Sequence, residues 1–544
     1  MTRRSALRAM AAGVAAAGVA GCGGAFAFKK KEIPGSIAGA GRGAGHLLNG
    51  FAFPEPAETM EVGVAIVGCG VAGVSAAWAL SRNGFDDYAA LELEQAPGGN
   101  AGFGRNAVTA YPRGAYYVPV PNMESKLVRT LFEEAGIIEG YDNGLPVFNE
   151  YHLCSDPQER LFIHGRWQEG LFPQIGTNEA DSRQYREFFA AMDILKNAKG
   201  NDGRPAFAIP MELSSRDPKY TALDKITMAE YMRRNGWDSK YLLWYVNYCM
   251  RDDYGSGLEE VSAWAGAHYF ASRRGKGANA DSHDVLTWPE GNGFLTGHMI
   301  KKARPRITSG ALVYNIEREG ERIAVDHYDP ASGKSRRFLA RAVIYAAPRF
   351  TAGKVIKQLR QNPPEYLPGF TYAPWLVANV SLKSAPAGNG APLAWDNVSF
   401  HNTSLGYVVA THQSLRAREG KTVITFYDAL SAGRPADMRR SAMGKTYGDW
   451  AGHVVKELSL MHKGVEREIE NIEVWLWGHG MIRPVPGFIW GETRREALKP
   501  VGGIFFAHSD MSGISIFEEA QYRGVKGAQD AMRSIGKPFA EMAA

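Results

Sequence analysis

Apolar residues along this chain follow two rhythms. Short unbroken runs bounded by glycine or proline, such as 62-VGVAIV, 88-YAALELE and 342-AVIYAAP, predict buried strands. Stretches with apolar positions three or four apart, such as 228-MAEYMRRNGW and 240-KYLLWYVNYCMRDDYG, predict helices. The pattern is most regular after residue 61, where VGVAIV is followed by the glycine turn GCGVAG, the helix VSAAWALSRNG ending at Gly84, and the strand YAALELE. Residues 311–348 read as a strand, a hairpin and a returning strand. WLVANVSL and SLGYVVATHQ add further strands, and 501-VGGIFFAHSD is a strand ending in a polar turn before the helix IFEEAQYRGVKGAQDAM. An α/β fold is expected, with a Rossmann-like unit and an inserted α+β lobe.

Residues 23–60, rich in Gly, Ala and Pro, are expected to form a tether. Before them, Arg3-Arg4 precede an apolar run from Ala9 to Ala20 that is too short to span a bilayer. TRRSALR resembles a twin-arginine export signal for folded cargo, with Ala6 where a bulky apolar residue is usual. VAGC resembles a lipoprotein box, which implies lipidation at Cys22 and a periplasmic or cell-surface location.

The formal net charge is +5, three units of it from Arg3, Arg4 and Arg8. The remaining charges are interspersed, which leaves no electrostatic footprint for nucleic acid. Beyond Cys22 only Cys69, Cys154 and Cys249 remain, an odd number without metal-like spacing, which argues against a disulfide framework.

The strand–turn–helix–strand at 62–94 has the chemistry of a dinucleotide site. Gly68 permits the turn, Gly70 lets the backbone approach a pyrophosphate, and Gly73 lets helix lie close on strand. Glu92, 24 residues after Gly68, is placed to accept hydrogen bonds from ribose hydroxyls. An NAD-dependent dehydrogenase shares this much.

The continuation from Glu92 to Gly98-Gly99 resembles the flavin-containing amine oxidoreductase superfamily, with Asn100 where arginine commonly follows. The resemblance implies noncovalent FAD, since no cysteine lies in AHSDMSGIS. It implies that Asp510 binds the ribityl chain, that the amide near Phe517 meets the flavin, and that the Val313 backbone meets adenine. Gly114, Tyr116 and Tyr117 are implied neighbours of the flavin ring. His479, Arg483 and Trp490 are near-site candidates by chain order, and His479, Arg483 and Tyr117 are the catalytic candidates. The FAD domain would comprise 61–124, 285–350 and 491–540, and the substrate lobe 125–284 and 351–490. The implied activity is hydride transfer from a small substrate, possibly an amine, to flavin N5, with oxygen or a quinone as electron acceptor. The lysine and cage tyrosine usual in amine oxidases are replaced here by Val377 or its neighbours and by Ile516. Those departures leave open a desaturase- or protoporphyrinogen-oxidase-like dehydrogenation. A lipoprotein that holds FAD as a non-catalytic partner subunit is the other alternative.

Overall fold

A computed structural model describes residues 32–39, 43–303, 306–414 and 420–540 of the chain. The expected export signal and Cys22 lie outside the described residues. The fold below is that of the compact unit Gly35–Ala544.

Two sheets organise it. In the first, Thr59–Val67 runs parallel to Tyr88–Glu92 on one side and to Lys334–Tyr345 on the other. Ile307–Ser309 extends this sheet beyond Tyr88–Glu92, and Ile504–Phe506 joins the C-terminal end of Lys334–Tyr345. The hairpin Leu312–Glu319 and Arg322–Asp329 feeds back antiparallel into Lys334–Tyr345. The parallel strands are apolar because both faces are covered, and Val64 to Val67 are all buried. Helices Val71–Arg82, Gly293–Ala303 and Phe517–Ser534 pack together here. Their contact is close because it is made by small residues: a Cβ on Gly524 would stand 2.1 Å from the carbonyl oxygen of Ala72.

The second sheet has eight strands, ordered Gly35–Gly39, Ile469–Ile482, Tyr372–Leu382, Thr422–Ala429, Gly406–Val409, Asp396–Ser399, Glu159–Ile163 and Arg166–Glu169. Helices Glu179–Lys196, Met228–Arg234, Lys240–Tyr254 and Ala263–Ala271 stack on one another in the same lobe. Ten of the eleven residues of Tyr372–Leu382 are buried, as in a central strand covered on both faces.

The structure departs from the expected tether. Gly35–Gly39 is a parallel edge strand on Ile469–Ile482, in register from Gly35 opposite Ile472 to Gly39 opposite Leu476. Low apolar content hid it, because an edge strand is held by main-chain hydrogen bonds that glycine and alanine supply as well as any residue. The first helix begins at Val71 rather than Val74, since Gly70 acts as its N-cap and draws the last turn residues into the helix. Among the described residues no helix is long and apolar enough to cross a membrane.

Candidate functional site

The first half of the cradle forms where two glycine loops meet. Gly68 has φ +91°, and Gly98 and Gly99 have φ +137° and +56°, conformations open to glycine at little cost. The Gly98 N–H donates to the Cys69 carbonyl at 2.9 Å, and a bridge joins Gly70 to Gly98. A Cβ on Gly70 would meet only the Gly99 Cα, at 3.8 Å, so the cap of the helix is open to an approaching group. No side chain caps that N-terminus, which leaves its amides free for an anion. Glu92 ends the neighbouring strand and accepts from the Cys69 N–H at 2.7 Å and the Glu94 N–H at 2.9 Å. A carboxylate has further lone pairs, so both oxygens can still accept from ribose hydroxyls. The chain from Gly310 to Val313 lies beside this carboxylate: the Ala311 N–H donates to the Glu92 carbonyl at 2.7 Å.

The second half comes from the C-terminus. Asp510, 1% exposed, accepts from the Tyr372 hydroxyl at 2.5 Å and the Arg349 N–H at 2.8 Å, both through Oδ2. Burial alone would raise this carboxyl, but His508 and those two donors more than offset it and hold it below the ordinary range. Oδ1 lies 2.9 Å from His508 Nδ1 and pairs with it when His508 is protonated; when that nitrogen instead accepts the Asp510 N–H, Oδ1 is buried without a donor. Such an orphan acceptor fits a hydroxyl supplied from outside the chain. The helix Phe517–Ser534 begins just beyond, uncapped by any side chain. Glu518 in its first turn is buried, and its carboxyl turns back on its own amide.

Between these halves lies a wall of carboxyls and aromatic rings. Asn100 accepts the Ala115 N–H through its carbonyl at 2.8 Å, which fixes Gly114 and sets Tyr116 and Tyr117 next to the glycine loop. A Cβ on Gly114 would stand 2.3 Å from the same Asn100 carbonyl oxygen. The Asn100 amide, standing where an arginine was expected, donates to the Gly480 carbonyl at 2.5 Å and ties this loop to Ile469–Ile482. The Tyr116 hydroxyl donates to Asp252 at 3.1 Å, and its ring lies 5.2 Å from that of Tyr427 and 5.7 Å from that of Trp395. Asp396 accepts from the Tyr427 hydroxyl at 2.7 Å and the Tyr248 hydroxyl at 3.4 Å. Arg273 grips Asp253 with two 3.0 Å contacts and donates to the Tyr117 hydroxyl at 3.3 Å.

Glu159, opposite Asp396 in the sheet, keeps an exposed side chain. Yet burial raises its carboxyl, with Arg273 opposing the shift. Accessible surface on a group so enclosed marks an interior space rather than the outer surface. Asp252 borders it too, pushed up to about 7 by burial and then by Asp253, against the Tyr116 hydrogen bond and Arg273. Burial likewise raises Asp396 well above the carboxylate range, and Asp252 and Glu159 add to the rise against the Tyr427 hydrogen bond. The wall therefore holds four carboxyls against one guanidinium. Among the described residues no group of three His, Cys, Asp or Glu is placed to hold a metal ion.

Burial sets a pH dependence for the cofactor-free protein. Glu92, Asp252 and Glu518 are each pushed up to about 7, well above an unfolded carboxyl. A raised group stabilises the fold fully below its unfolded pKa, and that contribution is lost as pH rises through the folded value. Each group costs about 1.4 kcal/mol per pH unit across that interval. The melting temperature of the cofactor-free protein is therefore expected to fall from pH 5 to pH 8, and Glu518→Gln to flatten part of the fall. A melting temperature that rises over this range contradicts the burial of these carboxyls.

The catalytic candidates are not brought together. Tyr117 stands in the wall, 5.9 Å from Trp395 ring to ring. His479 stacks on Phe350 at 4.0 Å and lies edge-on to Tyr372 at 5.7 Å, one ring away from Asp510. Burial and then Arg439 lower His479 to about 4, so it is neutral. Arg483 is buried with its donors taken by Ser256 at 2.7 Å and Glu260 at 2.6 Å, which makes it a tie between segments. Trp490 packs edge-on against Trp264, and its backbone N–H donates to Asp224 Oδ2 at 2.8 Å. Chain order led to His479, Arg483 and Trp490, and order does not say which way a strand's side chains face. The acids of the wall carry no local motif, since Asp252-Asp253 simply follow Arg251 at the polar end of their helix.

Residues 66–135 match the family described as NAD(P)-binding Rossmann-like domain. No curated protein sequence matches the chain. In solved structures the chain is similar to putrescine oxidase bound to putrescine, at 15% identity over 87% of this chain and 100% of that one, TM-score 0.62. It is similar to cyclohexylamine oxidase from Brevibacterium oxydans IH-35A, at 15% identity over 88% and 100%, TM-score 0.63. A third likeness is to a putative protoporphyrinogen oxidase from Exiguobacterium sp. 255-15, at 13% identity over 88% and 99%, TM-score 0.56. At these identities the likeness is one of fold.

Proposed function

We propose that the protein is an FAD-dependent oxidoreductase that oxidises an organic amine. The observation that carries the reading is the wall of Glu159, Asp252, Asp253 and Asp396, offset chiefly by Arg273 among the described residues and faced with Tyr116, Tyr117, Trp395 and Tyr427. Carboxyls and aromatic faces together suit an organic cation. The amines in the names of the two structurally similar oxidases support the same class.

In this reading Gly68, Gly70 and Gly73 admit the pyrophosphate, Glu92 takes the ribose, Val313 backs the adenine, Asp510 takes the ribityl chain and the Phe517 amide faces the ring. Bound there, FAD supplies the hydride acceptor, and oxygen or a quinone takes the electrons onward. Gly114, Tyr116 and Tyr117 then border the place where the substrate C–H bond must be held.

The purified protein is expected to be yellow, with the colour released on acid precipitation because the flavin is noncovalent. Folded protein that neither carries nor takes up FAD contradicts the proposal.

A second reading, dehydrogenation of a neutral substrate, is favoured by Val377 and Ile516 standing where a lysine and a cage tyrosine were expected. It predicts flavin reduction by such a substrate and none by amines. A non-catalytic FAD-holding subunit predicts no reduction by either. For the N-terminal segment we propose twin-arginine export after FAD loading and lipidation at Cys22. Cys22→Ala is then expected to move the protein from the membrane to the soluble envelope fraction.

A further inference from the structure

Most of the carboxyl oxygens in the wall are already engaged. Asp253 spends both oxygens on Arg273, and Asp396 accepts through both, from Tyr427 and Tyr248. Asp252 accepts at Oδ1 from the Tyr116 hydroxyl, and among the described residues no donor meets its Oδ2. Its carboxyl sits on the helix Lys240–Tyr254, on the turn that also carries Asp253. The groups facing it are Tyr116 and Tyr117 from the glycine-loop segment, Glu159, Asp396 and Tyr427 from the sheet, Tyr248, Cys249, Arg251 and Asp253 from its own helix, and Arg273 from the helical layer. Beside the same wall, Asn292 is buried and donates to the Tyr117 carbonyl at 3.0 Å, while its own Oδ1 has no donor. This buried acceptor left open at the wall points to a donor brought by a ligand.

Resting on the amine reading above, we infer that Asp252 is the catalytic base that takes a proton from the substrate ammonium. An ammonium nitrogen has no lone pair to drive hydride loss from the neighbouring carbon, so it must first lose a proton. In the step, one N–H bond of the ammonium breaks and an Oδ2–H bond forms on Asp252, while the electron pair of the N–H bond stays on nitrogen. No oxidant is consumed. Desolvation lowers the ammonium pKa while it raises that of Asp252, which brings donor and acceptor closer. Tyr116 holds the carboxylate in place through Oδ1 and leaves Oδ2 to the substrate. Glu159, which also has no donor among the described residues, lies farther along the wall, where it attracts the cation without touching the reacting nitrogen.

The test uses FAD-loaded protein mixed anaerobically with putrescine and with cyclohexylamine from pH 6 to pH 9.5. The wild type is expected to show a bleaching rate that rises with pH through a limb near 7. Asp252→Asn is expected to abolish that limb and slow bleaching by about 100-fold or more. Tyr116→Phe removes the hydrogen bond that favours ionised Asp252, so its limb is expected to move to higher pH. Glu159→Gln is expected to weaken apparent amine affinity and, because the Glu159 charge helps raise the Asp252 carboxyl, to move the limb to slightly lower pH without abolishing it. Independently of turnover, tetramethylammonium binding at pH 7 is expected to release a fraction of a proton in the wild type and none in Asp252→Asn. Wild-type bleaching together with an unchanged profile in Asp252→Asn overturns the assignment and leaves the amine reading standing. If Asp252→Asn does not fold, an unmoved limb in Tyr116→Phe or the absence of proton release overturns it instead. Failure of either amine to bleach the wild type is the distinct result that removes the amine reading and this inference with it.

Discussion

Gly73→Val is expected to abolish FAD retention and to destabilise the protein by about 3 kcal/mol or more, as judged by denaturant unfolding and flavin absorbance after gel filtration. A Cβ at this position would stand 1.8 Å from the carbonyl oxygen of Gly68 and 2.9 Å from its carbonyl carbon. Both are backbone atoms of the turn, so no side chain can swing aside. Nor can the helix retreat freely, because Gly524 of Phe517–Ser534 already presses on the Ala72 carbonyl from the other side. The helix must tilt, and its N-terminal amides leave the line on which they face the glycine loop at Gly98-Gly99. Gly297→Ala is the control. A Cβ there meets nothing within 4 Å and the position lies inside the helix Gly293–Ala303, so this variant is expected to gain about 0.5–1 kcal/mol and keep FAD. Retention of FAD by Gly73→Val contradicts the close packing of helix on turn.

Asp510→Ala is expected to lose FAD as completely, for a different reason. The substitution strands two buried donors, the Tyr372 hydroxyl and the Arg349 amide, at about 1–3 kcal/mol each, and removes the orphan oxygen proposed to meet the ribityl chain. Asp510→Asn keeps the shape and one acceptor oxygen, so it is expected to fold near wild-type stability while binding FAD at least tenfold more weakly. The pH behaviour follows from the sign of the shift. Asp510 is held below its ordinary value, so its contribution is present above the unfolded carboxyl pKa and lost as pH falls through the folded one. Its loss therefore appears only in acid, apart from the decline between pH 5 and 8 expected from Glu92, Asp252 and Glu518. An Asp510→Asn protein that binds FAD as tightly as the wild type contradicts the placement of this carboxylate.

What could be read in the chain depended on how local the encoding was. The dinucleotide cradle was legible because Gly68, Gly70, Gly73 and Glu92 lie within one strand–turn–helix–strand unit, where a positive φ demands glycine at 68, backbone contact demands it at 73, and the open approach needs it at 70. The strand ending before Asp510 and the helix from Phe517 were legible for the same reason. The wall was not. Tyr116, Glu159, Asp252, Arg273, Asp396 and Tyr427 come from six separate segments, and each looks ordinary in its own. Their convergence is a property of the sheet order, in which Glu159–Ile163 pairs with Asp396–Ser399. Gly35–Gly39 escaped notice because its pairing uses main-chain groups alone. Arg483 and His479 show the converse: conspicuous residues in a conspicuous stretch, yet one is spent on Ser256 and Glu260 and the other is stacked on Phe350.

The most direct measurement is the anaerobic mixing of FAD-loaded protein with putrescine or cyclohexylamine at pH 8.5, followed by flavin absorbance. Bleaching by an amine, with recovery of the oxidised spectrum when oxygen or a quinone is admitted, is the predicted result. A flavin that stays oxidised with every amine, yet is reduced at once by dithionite, contradicts the account.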